Sequence, residues 1–208
     1  ALAAYLLGAI PSGVIAGRAS RGIDIRDYGS GNSGFTNALR VLGLRWSLLV
    51  LVADLAKGTL PVLALKLFHP DPALEVIAAA GTLVGHVWPV WAGFRGGRGV
   101  ATGFGTLLAL DPVIALGAFV AGMAILLPFR YVSLMSVVGT PLAGAALIVA
   151  ALLGYAPGIY AAYGVLAPAV IVLRHRENIG RLLRGTEPKL GQSFRRPERA
   201  GARAGKGG

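Results

Sequence analysis

The residues able to do chemistry in this sequence gather in short polar stretches, and two of those stretches are built around glycine. Residues 29–40, GSGNSGFTNALR, begin as G-x-x-x-x-G and reach Thr36, which is a Walker A spacing. Phe35, however, stands where the phosphate-binding Lys must be, and no hydrophobic strand precedes the loop, so a nucleotide triphosphatase of that kind is excluded. The physics of anion binding survives. Ser30, Gly31, Asn32 and Gly34 can turn backbone N–H groups inward, and Thr36, Asn37 and the residues up to Arg40 can open a helix whose positive end favours an anion. Arg40 then adds a planar charge. Residues 94–105, FRGGRGVATGFG, repeat the theme, with Gly96, Gly97 and Gly99 set around Arg98 directly before an apolar run.

Two further stretches offer polar groups. RYVSLMS places Arg130, Ser133 and Ser136 at spacings of three, the register of one helix face, where serines also serve as packing residues between membrane helices. RHRENIGRLLRGTEPK puts His175, Asn178 and Arg181 at threes, followed by Glu187 and Lys189; a solvated basic helix accounts for the arginines but not for His175, Asn178 and Glu187. Asp54 and Lys57 in DLAKG fall deep within an apolar run, where ionisable residues pair or line a polar cavity, and both readings stand. His86, between aromatics in GHVWPVW, reads as a hydrogen-bonded interface residue. With three His and no Cys, no metal site is expected.

The elements that must position these groups follow from composition. Of the 208 residues, 55% are hydrophobic and only 14% charged, and the mean hydropathy is +0.67, which predicts an all-α, polytopic integral membrane helix bundle. Twenty Lys and Arg against nine Asp and Glu give a net charge of +11, which in so apolar a chain reads as membrane topology and not as a nucleic-acid footprint. Apolar runs at residues 1–17, 45–68, 73–92, 100–110, 112–128, 131–153 and 156–173 predict about seven transmembrane helices of roughly 20 residues. The fourth run is short, and as a re-entrant dip it would send Arg130 and the cations after it to the opposite side. The positive-inside rule therefore favours seven crossings with the N-terminus outside and the C-terminus cytoplasmic. Because Arg18, Arg21 and Arg26 follow the first apolar run, no cleaved leader is expected there. Residues 1–190 read as one membrane-embedded domain. Residues 191–208, small and basic without periodicity, read as a disordered cytoplasmic tail near anionic lipid headgroups.

In order along the chain, GSGNxGxTNxxR, DxxKG, GHxxPxxxxFxGGxGVAT, RxxSxxS and HxxNIxRLxxGxExK resemble the bacterial acyl-phosphate:glycerol-3-phosphate acyltransferase (PlsY) family, over residues 12–189. The resemblance implies transfer of a fatty acyl group from acyl phosphate to the 1-position of sn-glycerol 3-phosphate, giving lysophosphatidic acid and inorganic phosphate in the first acylation of phospholipid synthesis. It implies a plasma (inner) membrane enzyme with its active site on the cytoplasmic face, no cofactor, and no obligatory protein partner. Carried over by motif, the catalytic candidates are His175, Asn178, Ser30 and Arg40. The substrate-binding candidates are Asn32, Thr36, Asn37, Gly96, Gly97, Arg98, Gly99, Ser133, Ser136, Glu187 and Lys189. One departure is visible: the family usually has Lys where this sequence has Arg98, which keeps the charge but offers a planar fork in place of a compact ammonium.

The residues fit that chemistry. Both substrates carry phosphate, so two basic glycine loops on one face have a purpose, and an acyl tail needs a groove between helices. Acyl phosphate is already activated, which leaves positioning, charge neutralisation and a proton acceptor for the protein to supply. His175 and a substrate phosphate are both open as that acceptor. A transporter of phosphorylated solutes is the alternative, but it would place its site near the bilayer midplane and show internal repeats, which this sequence lacks.

Overall fold

A chain this apolar must satisfy its backbone within each segment, and among the described residues every regular element is helical. The computed structural model describes residues 1–192. Its α-helices are α1 Leu2–Gly8, α2 Ser12–Arg21, α3 Phe35–Leu42, α4 Leu44–Phe68, α5 Pro72–Val87, α6 Val100–Leu110, α7 Pro112–Phe129, α8 Val132–Leu152, α9 Tyr160–Arg174 and α10 Arg176–Leu183. Short 3-10 turns lie at Ile25–Asp27 and Val90–Ala92.

Among the described residues, five segments are long and apolar enough to cross a membrane: Leu2–Arg21, Leu44–Phe68, Pro72–Ala92, Pro112–Phe129 and Val132–Leu152. Two others expected to cross, Val100–Leu110 and Tyr160–Arg174, are apolar but shorter. The first apolar run is not one helix. Pro11 has no N–H to continue α1, so the chain breaks and α2 starts afresh at Ser12. Elsewhere the turn signals act as caps: Asp71 accepts hydrogen bonds from the Ala73 and Leu74 N–H groups and Asp111 from those of Val113 and Ile114, each with Pro at the first helical position. Arg130 was expected on the same helix face as Ser133 and Ser136. It instead precedes α8 in the left-handed region, φ 63°, and exchanges hydrogen bonds with Leu190, its N–H side chain donating to the Leu190 carbonyl at 3.2 Å. Only the two serines occupy the first turns of α8.

Helix pairs close through small residues, since lipid supplies no hydrophobic drive between helices and close backbone approach must do so. A Cβ at Gly144 would collide with the Gly164 carbonyl, which locks α8 against α9, and one at Gly58 would collide with the Thr102 carbonyl between α4 and α6. The main apolar cluster, with Val62, Leu83, Leu107, Leu147, Tyr160 and Ile171, joins α4, α5, α6, α8 and α9. Polar ties fix the end of the bundle away from the glycine loops. Lys66 Nζ donates to the carbonyls of Ala109 and Leu110 at 2.9 and 2.6 Å, capping α6, while the Tyr160 hydroxyl donates to Glu75.

Asp54 and Lys57 form an ion pair at 2.9 Å, with Asp54 2% exposed. Ser12 Oγ donates to the same Asp54 Oδ1 at 2.8 Å, and Lys57 Nζ donates to the Ile10 carbonyl at 3.0 Å, so the pair absorbs the polar groups of the α1–α2 break. Replacing Asp54 with Ala would leave Lys57 buried without its counter-charge. The expected cost is about 3–5 kcal/mol of stability, read as a large drop in the thermal midpoint of the detergent-solubilised protein; an unchanged midpoint would show that the pair does not anchor the fold.

Candidate active site

Asn37 sets the shape of the first glycine loop from within. It is 1% exposed, and its Nδ2 donates to the carbonyls of Ile25, Tyr28 and Asn32 at 3.1, 3.2 and 2.8 Å while its Oδ1 accepts from the Ser30 N–H at 2.9 Å. Both hydrogens of its amide nitrogen, and one lone pair of its amide oxygen, are thereby committed to the loop. Although it borders the cavity, Asn37 acts as a tie and not as a free ligand group. Gly29, at φ +55°, leaves room for its amide oxygen that a Cβ would fill. The folded loop leads into α3, which carries Thr36 and Arg40.

The second loop is seated on α5. The Gly97 N–H donates to the His86 carbonyl at 3.2 Å, a Cβ at Gly96 would collide with that carbonyl, and a Cβ at Gly97 would collide with the His86 ring at Nε2. His86 Nδ1 stands 3.6 Å from Asp54 Oδ1, which links the loop to the buried ion pair. Arg26, which the sequence reading passed over, joins the two loop regions: it pairs with Asp24 at 2.7 Å and donates to the carbonyls of Ala92 and Arg95 at 2.6 and 3.0 Å. Hydrogen bonding from Arg26 holds the Asp24 carboxyl down at about 2, so the clamp is ionised at neutral pH. A lone Arg in a basic loop carries no sequence signal for such a role.

The third wall comes from α8 and from the chain after α9. His175 caps α9, and its Nδ1 lies 2.7 Å from the Ile171 carbonyl. A carbonyl only accepts, so Nδ1 carries the proton and Nε2 keeps the lone pair. Burial pushes this imidazole down to about 4, leaving it neutral at physiological pH. Asn178 Nδ2 donates to Glu187 Oε1 at 2.6 Å, which fixes the amide orientation because a carboxylate only accepts. Asn178 Oδ1 is left buried on the cavity wall without a protein donor. Arg181 Nε binds the other Glu187 oxygen at 2.7 Å. Burial would raise the Glu187 carboxyl, but the hydrogen bonds from Asn178 and Arg181 help to outweigh it and hold Glu187 ionised. Glu187 thus orients Asn178 and Arg181.

These walls enclose one cavity of about 450 Å³. Ser30, Asn32, Thr36, Asn37, Arg40, Arg98, Gly99, Ser133, Ser136, His175, Asn178 and Glu187 all border it, as do Asp54 and His86. Gly96 and Gly97 do not border it and serve to seat the loop. Lys189 is not brought in either; its ammonium lies 5.5 Å from the centre of the Tyr131 ring. At the mouth, burial pushes the Arg98 guanidinium down to about 10 and lowers that of Arg40, with Glu187 partly offsetting both. Both arginines remain charged at neutral pH. Away from the mouth the cavity becomes an apolar groove between α6, α7, α8 and α9, lined by residues such as Phe104, Leu126, Ala143 and Ile171. Sequence periodicity could not find this groove, because α7 and α8 are apolar all round; small residues such as Gly122, Gly139 and Gly144 were the available signal.

A sequence model of the glycerol-3-phosphate acyltransferase family matches residues 1–185. The glycerol-3-phosphate acyltransferase of Parasynechococcus marenigrum is 45% identical over 188 residues, covering 90% of this chain and 87% of that one, and that of Rubrobacter xylanophilus is 42% identical over 190 residues, covering 91% and 93%. Among solved structures, the crystal structure of PlsY, an integral membrane glycerol 3-phosphate acyltransferase, in its glycerol 3-phosphate form is 40% identical with a TM-score of 0.81, covering 90% of this chain and 92% of that one. Its lysophosphatidic acid form is 39% identical with a TM-score of 0.80, covering 89% and 91%. With this match over nearly the whole chain in both sequence and shape, the protein belongs to the glycerol-3-phosphate acyltransferase family and is an integral membrane acyltransferase of the PlsY type.

Proposed function

We propose that this chain transfers a fatty acyl group from acyl phosphate to the 1-position of sn-glycerol 3-phosphate, forming lysophosphatidic acid and inorganic phosphate. The observation that carries the reading is the two-part cavity: a mouth bordered by the half-buried Arg40 and Arg98, continuous with an apolar groove. An acyl phosphate has the same two parts, and glycerol 3-phosphate supplies a second anion for the mouth. Related PlsY structures hold glycerol 3-phosphate and lysophosphatidic acid, in agreement with this assignment.

On this reading Arg40 and Arg98, with Ser30, Asn32 and Thr36, hold phosphate, and Asn178 Oδ1 accepts a hydrogen bond from a glycerol hydroxyl. The 1-hydroxyl oxygen attacks the acyl carbonyl carbon, the bond from that carbon to the phosphate oxygen breaks, and phosphate departs with the bonding pair. The hydroxyl proton passes to a phosphate oxygen of the substrates. The neutral, weakly basic His175 supports that route, since a general base works best with a pKa near the working pH. His175 Nε2 then serves as a hydrogen-bond acceptor in the site. Residues 1–190 form one membrane domain with seven crossings, N-terminus outside and the glycine loops cytoplasmic, in a bacterial inner membrane; of the basic tail, residues 191–208, all but the first two lie outside the described residues. The site lies at one end of the bundle, whereas a solute transporter would place it near the midplane.

The direct test is to incubate the purified protein with acyl phosphate and glycerol 3-phosphate and follow lysophosphatidic acid and phosphate; formation of neither would overturn the assignment. Arg40→Gln and Arg98→Gln should each lower kcat/KM for glycerol 3-phosphate at least about tenfold, the loss of one charge-assisted contact of roughly 1.5–3 kcal/mol. Unchanged kinetics in both would remove them from the phosphate site.

For the proton, the wild-type rate should fall as pH drops through about 6, where a phosphate dianion gains its second proton. His175→Gln should keep the same profile with roughly a tenfold loss, the scale of one hydrogen bond. A loss of a hundred- to ten-thousandfold together with a changed acid limb would make His175 the base instead. For topology, a cysteine replacing the exposed Arg95 should resist membrane-impermeant thiol reagents in intact cells and react in inverted vesicles; labelling in intact cells would reverse the orientation.

A further inference from the structure

The apolar groove has a closed end. Counting away from the mouth, the deepest residues each helix contributes are Leu107 of α6, Ala118 of α7, Leu147 of α8 and Tyr163 of α9. Beyond them the space is filled by the packed core of Leu110, Ala115 and Tyr160. Tyr163 is 2% exposed, and its hydroxyl is hydrogen-bonded to Thr106 on α6, whose own hydroxyl also reaches the Gly103 carbonyl at 2.8 Å. Beside Tyr163, the backbone crossing of Gly144 and Gly164 brings α8 and α9 together so closely that a Cβ on either would collide with the other's carbonyl. Nothing can slip between those two helices at that level.

We infer that Tyr163, held across the groove by Thr106, is the end-stop that sets the longest acyl chain this enzyme accepts; this rests on the acyltransferase reading above. A buried leucine would fill similar volume, but a hydrogen-bonded phenol is fixed at both ends, so its ring cannot swing aside when a longer chain presses on it. The depth is of the right size. From His175 at the mouth to Tyr163 is twelve residues along the chain, about 18 Å at the α-helical rise, and from Ser136 to Leu147 is about 17 Å. Half of a bilayer's hydrocarbon core is about 15 Å. The groove therefore accommodates one long acyl chain of the kind that fills a single leaflet, and it excludes substantially longer ones.

The test uses the purified full-length protein with saturated acyl phosphates of graded length at fixed glycerol 3-phosphate, reading kcat/KM for each. Tyr163→Val removes the ring while Thr106 keeps its bond to Gly103, so the fold can persist. The ratio of kcat/KM for chains beyond the wild-type optimum to that for the optimum should rise about tenfold or more, since one methylene in an apolar pocket is commonly worth that much discrimination. Tyr163→Phe, which keeps the ring but loses the bond to Thr106, should shift the profile toward longer chains by less than Tyr163→Val does. As an independent variant, Ala143→Leu adds bulk midway along the α8 wall and should move the optimum to shorter chains. An unchanged length profile in Tyr163→Val with turnover retained would overturn the end-stop. Should Tyr163→Val fail to fold, an unchanged profile in Ala143→Leu would overturn it equally, because the chain would then lie outside the groove. Absence of turnover by the wild type with any acyl phosphate would instead overturn the acyltransferase reading and the end-stop with it.

Discussion

Within a bilayer the structure turns on one ion pair, because two charges taken out of water must satisfy each other and whatever polar backbone lies near. Asp54 and Lys57 do both. The break that Pro11 imposes between α1 and α2 leaves polar groups at depth, and these are taken up by Lys57 at the Ile10 carbonyl and by Asp54 at the Ser12 hydroxyl. On its other side Asp54 faces His86, and His86 is the surface on which the second glycine loop is laid. The α1–α2 break, α4, α5 and the loop carrying Arg98 thus share one anchor. That loop is glycine-rich where it meets His86 because backbone alone fits against the ring and carbonyl.

The anchor has a consequence for the mouth of the cavity. Holding the Arg98 loop from below lets its guanidinium be half-enclosed beside Arg40, with Glu187 the nearby anion. Two cations in that setting repel and lack solvent, an arrangement whose cost falls when an anion enters. Arg98 in place of the family's usual Lys fits this enclosure. A guanidinium is more weakly hydrated than an ammonium and presents paired donors to a phosphate edge, so it tolerates desolvation better and constrains the anion's orientation more.

How much of this was legible in the sequence depends on what each feature requires. Helices α6 and α7 fall where hydropathy and the Asp-Pro signals put them, because caps are local chemistry. The break at Pro11 was missed since a hydropathy window registers composition and not a lost hydrogen bond. The clustering of Ser30, Arg40, Arg98, His175 and Asn178 around one cavity agrees with their placement at one end of successive apolar runs. Asn37 and Lys189 show the limit. Whether an amide faces a ligand or ties a loop depends on carbonyls at Ile25 and Tyr28, and whether a terminal Lys reaches the cavity depends on where the chain turns after Glu187; neither is encoded in spacing. The apolar wall was invisible for a different reason: a helix hydrophobic on every side gives no phase from which to tell groove from lipid.

The division of labour in the site follows from the same enclosure. Burial that strengthens the hold of arginines on an anion also strips basicity from His175, so one environment cannot favour both tight phosphate binding and proton abstraction by that imidazole. With the acyl phosphate donor proposed above the conflict would be harmless: its leaving group departs readily, and the demand on the protein shifts to bringing the hydroxyl and carbonyl together and neutralising charge. On that reading phosphate oxygens held at the mouth would be close to the attacking hydroxyl and, as dianions, more basic than the buried ring. On the proposed reading, a site that gathers phosphates imports its own proton acceptor, so a cavity whose described carboxylates, Asp54 and Glu187, are already partnered and whose histidine is weakly basic would suffice for that reaction.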